Sequence, residues 1–264
     1  MAEDRIQKVL SQWGIASRRQ AEKMIVAGRV KLNNRTATLG DKVDLAIDKL
    51  EVDNRIIQKN RRPSHVYLLL NKPLGVVSTC NDPQKRVTVI DLLPNSLQQG
   101  QGIHPVGRLD INSTGALILT NDGTLTLNLT HPRYHLPKTY HVWLDGCPTD
   151  RDLELWCQGV MLSEGKTLPA KVKILKQKQT KTLLEIVITE GRNRQIRRIA
   201  EQLGFEVVSL HRTAIASISL QTESGVQLSQ GDYRHLTKKE VIFLQKTWQK
   251  KALNLASSFS NAVY

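Results

Sequence analysis

The chain has 264 residues, of which 40% are hydrophobic and 23% charged; it is long enough for two domains with real cores and is composed like a globular protein, not a disordered or fibrous one. The net charge is +14, and the excess is spread along the length: residues 1–63 carry 14 Lys/Arg against 8 Asp/Glu, residues 64–242 carry 21 against 16, and the remainder carry 3 against none. A field of that sign and extent points to a polyanionic partner, nucleic acid before any other.

Residues 5–27 read as two short helices. RIQKVLSQWG sets Ile6, Val9, Leu10 and Trp13 at helical spacing ahead of Gly14, and SRRQAEKMIVAG restarts with Ser17 as N-cap and Ala21, Met24 and Ile25 facing inward. The polar side of the second helix carries Arg18, Arg19 and Lys23. Two hairpins follow, RVKLNNR turning at Asn33 and Asn34, and KLEVDNRII turning at Asp53 and Asn54; Asn tolerates the left-handed backbone of a tight turn. Arg29, Arg35 and Arg55 close the helix and follow the turns. KNRRPS, residues 59–64, is a charged, Pro-containing break. It divides the chain into a small domain of residues 1–60, a linker of residues 61–65, a larger domain of residues 66–243 and a tail of residues 244–264.

In the larger domain, strands are expected at 66–70, 75–79, 116–120, 139–144, 170–176 and 182–188, with helices near 123–130, 150–158 and 194–203. Strands without regular alternation with helices imply an α+β fold whose mixed, largely antiparallel sheet is flanked by helices. The last twenty residues lack a period and are expected to fray after a short helix. No apolar run approaches the roughly 18 residues of a membrane span, and MAEDRIQKVL is charged where a signal peptide is apolar. Cys80, Cys147 and Cys157 form no CxxC pair and read as buried small hydrophobes in a reducing compartment. A cytoplasmic monomer with no membrane partner is the expectation.

Nucleotide-binding glycine loops, GxSxG, HExxH and paired Cys/His clusters are all missing from the sequence, which favours chemistry carried out by side chains alone, with no metal and no cofactor. TEGRNRQIRRIAEQLG, residues 189–204, places Ile196, Ile199, Ala200 and Leu203 on one helical stripe. Arg194 and Arg198 then point away from the stripe, while Arg197 lies at its border and can look into a cleft. Cations in a first turn oppose the helix dipole, so an acid or phosphate nearby is expected; a solvated arginine face stabilised by Glu201 is the alternative. In GRLDINSTGALILTNDG, residues 107–123, Asp110 either caps the turn made by Asn112, Ser113 and Thr114 or is an ionised carboxylate held by an arginine, able to attack an electrophilic carbon. Strand alternation in KTYHVWLDG puts Tyr140 with Val142 and Leu144 on one face. It is either a core tyrosine or a ring on which an extruded base stacks, worth about 1–3 kcal/mol.

Residues 3–58, with GIASRR, GRV and LGDKVD in order, resemble the small RNA-binding domain named after ribosomal protein S-four, with Asn34 and Asn54 in place of the usual glycines. LNKPLGVVSTCNDP, GRLDINSTGALILTNDG, LPKTYHV and EGRNRQIRRIAEQLG, following that domain in this order, resemble the RsuA family of bacterial ribosomal RNA pseudouridine synthases across nearly the whole chain to residue 242. The pattern is most similar to RluB-like members, which act on large-subunit ribosomal RNA. The resemblance implies that Asp110 attacks the target uridine, at the sugar or at the ring, that Tyr140 stacks on the flipped base, and that Arg197 pairs with Asp110. It also implies that Arg108 fills the space left by the base or holds its phosphate. Arg194 and Arg198, with Arg18, Arg19, Lys23, Arg29 and Arg35 of the small domain, are the expected RNA-binding residues. A non-catalytic ribosome-assembly factor is the competing expectation.

Overall fold

In the computed structural model, residues 3–131, 135–222 and 225–246 are described, and they divide into two compact units. One comprises the residues up to Val66 together with Leu93–His104 and Thr120–Gly123; the other comprises Tyr67–Leu92, Pro105–Leu119 and the residues from Thr124 on. The expected tail lies almost wholly outside the described residues, which end in a helix over 238–246.

The first unit opens with β1 (Asp4–Arg5), α1 (Ile6–Gln12) and α2 (Arg18–Val26). Ser17 caps α2 by accepting the Gln20 N–H, as its position before an apolar-periodic run requires. β2 (Val30–Leu32), β3 (Arg35–Thr36), β5 (Leu50–Val52) and β6 (Arg55–Ile56) form a sheet in the order β3-β2-β5-β6, while β4 (Lys42–Val43) pairs with β1. Asn33, Asn34, Asp53 and Asn54 all have φ between 48° and 67°, the left-handed geometry of two-residue hairpin turns. Ile6, Leu10, Ala21, Ile25, Val30 and Leu50 make the core of this unit. A single-turn 3-10 helix, Lys59–Arg61, opens the KNRRPS segment, and α3 (Asn95–Gln98) belongs to the same unit.

The second unit is built on a nine-stranded sheet. Its strands are β7 (Tyr67–Lys72), β8 (His104–Pro105), β9 (Thr114–Thr120), β10 (Lys138–Asp145), β13 (Lys171–Gln177), β14 (Lys181–Ile188), β15 (Glu206–Ile215), β16 (Ile218–Ser219) and β17 (Tyr233–His235), with the order β13-β14-β10-β15-β9-β7-β17. A small hairpin, β11 (Met161–Leu162) and β12 (Gly165–Lys166), stands apart from it. β15 runs parallel to β9, whereas β10, β13 and β14 pair antiparallel with their neighbours. α4 (Gly123–Thr130), α5 (Asp150–Gln158) and α6 (Gln195–Gln202) complete the unit. The architecture is thus α+β with a mixed, mostly antiparallel sheet and helices, and its core gathers Leu69, Ala116, Ile118, Leu125, Ile215 and Ile218.

Three local expectations change. Residues 75–79 form no strand: Gly75 takes φ +80°, and Val77 makes only an isolated bridge to Thr88, so this segment is a loop. A ten-residue central strand, β15, occupies a stretch with no clean alternation, because register shifts opposite Thr139/Tyr140 and Trp143/Leu144 break the two-residue period. Cys80 and Cys147 are exposed and Cys157 half-buried, so the cysteines lie in loops and at a helix edge, not in the core. No helix among the described residues is long and apolar enough to cross a membrane.

Candidate active site

Asp110 is held by its neighbours in the chain, not by its own carboxylate. The Ser113 N–H donates to the Asp110 carbonyl at 3.0 Å and closes the turn that carries it. The Ser78 hydroxyl donates to the Leu109 carbonyl at 2.9 Å and accepts the Leu109 N–H at 3.1 Å, while the Gly75 N–H donates to the Ile111 carbonyl. Backbone bonds on both sides therefore fix the loop and leave the side chain, about one third exposed, to project. Ser78 has no distinguishing sequence signal, and the 75–79 loop enters the site through this clasp and through Val77 and Thr79, which line the cavity.

The carboxylate opens onto a cavity of about 680 Å³ whose wall includes Asp110, Tyr140, Arg108, Arg194, Lys138 and Arg212, within the size range of small-molecule sites. Among the described residues, six cationic side chains, Arg86, Arg108, Lys138, Arg192, Arg194 and Arg212, line it against three carboxylates, Asp82, Asp110 and Glu190. Asp82 is taken up by Arg86 at 2.7 Å and Glu190 by Arg192 at 3.1 Å. Asp110 is thus, of these three, the carboxylate without a guanidinium in hydrogen-bond range, in surroundings whose net charge favours an anionic ligand.

The expected Arg197–Asp110 ion pair is not formed directly. Arg194 is the arginine nearest the carboxylate, with its Nη1 4.0 Å from Oδ2. Arg194 does not follow the outward helical phase expected of it because it precedes the helix, as the N-cap of α6 with φ 47° and ψ 31°. Arg197 instead donates to the Asn112 carbonyl at 2.7 Å and the Val207 carbonyl at 3.1 Å, tying the Asp110 turn to β15. Burial, then the charge of Arg194, lowers its pKa, while the charge of Asp110 raises it, so the two groups interact without touching. Arg198, expected to meet RNA, is half-buried and bonded through Nη1 to Glu164 at 2.8 and 2.9 Å. Glu164 and Glu190 supply the acids that the basic first turn of α6 requires.

Tyr140 is buried, and the Arg212 guanidinium lies 6.0 Å from its ring centroid. The side chain is therefore both a core element and a wall of the cavity. Arg108 is exposed and lines the same space, and so do His131 and His135, which carried no ligand pattern in the sequence. In the first unit, Arg18, Arg19 and Lys23 are exposed on α2. Arg29 forms a bidentate pair with Asp53 at 2.8 and 2.6 Å, and Arg35 bonds Asp41 at 2.9 Å. Among the described residues no group of three His, Cys, Asp or Glu is arranged to hold a metal ion.

Two lysines of this unit, one buried and one half-buried, titrate below the ordinary range. Lys72 is fully buried and donates to the Pro73 carbonyl at 2.9 Å; burial brings its pKa down to about 8 against the opposing pull of Asp110. Lys138 is likewise brought down to about 8, by burial and then by the charge of Arg212. Between that value and the ordinary 10.5, the unfolded chain holds protons that the folded chain has released. Unfolding free energy should therefore rise as pH increases from 8 toward 10.5. Urea midpoints across that window should climb more steeply in the parent than in Lys72→Met, and equal slopes would refute the assignment to Lys72.

The family profile described as RNA pseudouridylate synthase matches residues 66–202, and the S4 domain profile matches residues 4–46. The chain is 43% identical over 242 residues to "Ribosomal large subunit pseudouridine synthase B" of Bacillus subtilis, covering 90% of this chain and 94% of that protein. It is 37% identical over 242 residues to "Dual-specificity RNA pseudouridine synthase RluF" of Salmonella typhi, covering 92% and 78%. A solved structure, "Crystal structure of pseudouridylate synthase", superposes with a TM-score of 0.65 at 30% identity, covering 91% of this chain and 99% of that one.

Proposed function

The chain belongs to the RNA pseudouridylate synthase family, and on that premise we propose that it isomerises one uridine of large-subunit ribosomal RNA, with Asp110 as the attacking group. The observation that carries the reading is the Asp110 carboxylate projecting into a basic cavity beside Tyr140, with Arg194 4.0 Å away as its ion-pair partner. Large-subunit RNA is favoured by the name of the Bacillus subtilis relative.

The reaction suits this inventory. The base parts from ribose at N1, turns, and rejoins through C5; the C5 proton is lost and N1 gains one, so nothing is gained or lost overall. A carboxylate attacking at the ribose or at the ring frees the base to turn. A paired base first leaves its stack, at about a few kcal/mol. Tyr140 then offers a face for the extruded base, and Arg108 stands free to hold a phosphate or take the vacated space. Arg197 acts one step back, keeping the Asp110 turn against β15.

Mapping pseudouridines in ribosomal RNA from cells with and without this chain tests the reading. One large-subunit position should lose its modification in the deletion. An unchanged map alongside intact RNA binding would favour the assembly factor. Affinity should also fall with salt by about 0.7–0.9 log units per decade for each phosphate contacted. Changing Arg18, Arg19 and Lys23 together to Gln should flatten that slope and weaken binding while leaving the chemical step unaltered. An unchanged slope would remove α2 from the RNA interface.

A further inference from the structure

We infer that Lys138, backed by Arg212, is a catalytic residue that stabilises the detached uracil as an anion, an assignment that rests on the pseudouridine reading of the same cavity. When the N1–C1′ bond breaks, its electron pair stays with the base, and the negative charge spreads over the ring nitrogens and carbonyl oxygens. The charge disappears when C5 bonds to C1′, the C5 proton departs to solvent and N1 is protonated. A base free to turn needs a counter-charge beside it that is indifferent to its orientation. An ammonium group suits that need, being a compact point charge with three donors on a flexible stem.

Lys138 is in the right place. It lies two residues before Tyr140 on β10, and the two side chains share one face of the strand and one wall of the cavity. Its ammonium donates to the Leu136 carbonyl at 3.1 Å, and it has no carboxylate partner among the described residues. Arg212, paired with Tyr140 across β15, is buried; its Nε donates to the Ala116 carbonyl, and its Nη2 is a buried donor with no hydrogen-bond partner. A buried cation and a half-buried one without an acid between them are costly in the resting protein. A site of that kind stabilises an anion that exists only during the reaction, which is the differential binding catalysis requires.

The surroundings define how the group titrates. Arg212 faces it from β15; its partner on β14, Ile188, carries no charge. Tyr140, His131, His135, Asp110 and Glu190 line the same cavity. Burial and Arg212 bring Lys138 to about 8, so activity should decline as pH rises through that value.

The test is single-turnover conversion of a ribosomal RNA fragment by the full chain, the parent against Lys138→Met and Lys138→Arg. Lys138→Met should slow the chemical step about 100-fold at pH 7, the loss expected for one charge-stabilising donor, while RNA affinity holds. The defect should shrink about ten-fold or more when the target is 5-fluorouridine, followed by its disappearance from nucleoside digests, because fluorine already stabilises the departing anion. Lys138→Arg should stay active and carry the alkaline limb above pH 8; Lys72, which titrates in the same range, is intact in that variant. A Lys138→Met rate matching the parent, a defect equal on both substrates, or an unmoved limb in Lys138→Arg would each overturn the inference. A parent chain that makes no pseudouridine would instead overturn the functional reading beneath it.

Discussion

Gly115→Ala should destabilise the second unit by about 3 kcal/mol, from a strained backbone and an overpacked strand contact together. Gly115 holds φ +109°, a conformation open to glycine and strained for any L side chain. A Cβ there would sit 2.2 Å from the Arg212 carbonyl oxygen and 2.7 Å from its nitrogen. Both are backbone atoms in the middle of a sheet, so no flexible side chain can move aside. The same contact is the parallel pairing of β9 with β15, His211 opposite Thr114 and Arg212 opposite Gly115. It also holds the Thr114 hydroxyl within 2.8 Å of His211 Nδ1. β9 begins four residues after Asp110, and β15 carries Arg212 under Tyr140. Pushing the strands apart should therefore move Asp110 and Tyr140 relative to each other. Urea unfolding should show a lower midpoint, and catalysis should fall further than stability alone explains; a midpoint equal to the parent's would contradict this account of the strand contact.

Much of this was legible from residue order. Asn33–Asn34 and Asp53–Asn54 marked their turns because few residue types accept a left-handed backbone, and the Ser17 cap marked the start of α2. Helices α4 and α5 fell at the residues expected of them, since their boundaries depend on local signals such as Thr149, which caps α5 in a reciprocal capping box with Asp152. Features that depend on tertiary pairing were not legible. β15 loses its alternation where Val208 and Thr213 are skipped in its pairing with β10, and VVST has the composition of a strand although Gly75 and the clasp by Ser78 make it a loop.

The site divides along the same line. Asp110, Tyr140 and Arg108, named from separate motifs, line one cavity. The roles of the arginines in α6 were exchanged, because a helical wheel applies only inside a helix and Arg194 stands one residue before it. Arg198 met Glu164 from a hairpin 34 residues earlier in the chain, a contact no local pattern encodes. A lysine and an arginine on strands are ordinary in sequence, so nothing local marks Lys138 and Arg212, which the fold sets beside Tyr140, one half-buried and one buried, without an acid.

Whether the Asp110 carboxylate attacks the target uridine is tested most directly by removing its charge at constant shape. With ribosomal RNA tritiated at uridine C5, each isomerisation releases the label to water, while filter binding reports RNA affinity in the same samples. Asp110→Asn should lower release about 10⁴-fold or more, as expected when an attacking group is lost, with affinity close to the parent's because Arg18, Arg19, Lys23 and Arg108 are untouched. Release at the parent's rate from a well-folded Asp110→Asn chain would contradict the account.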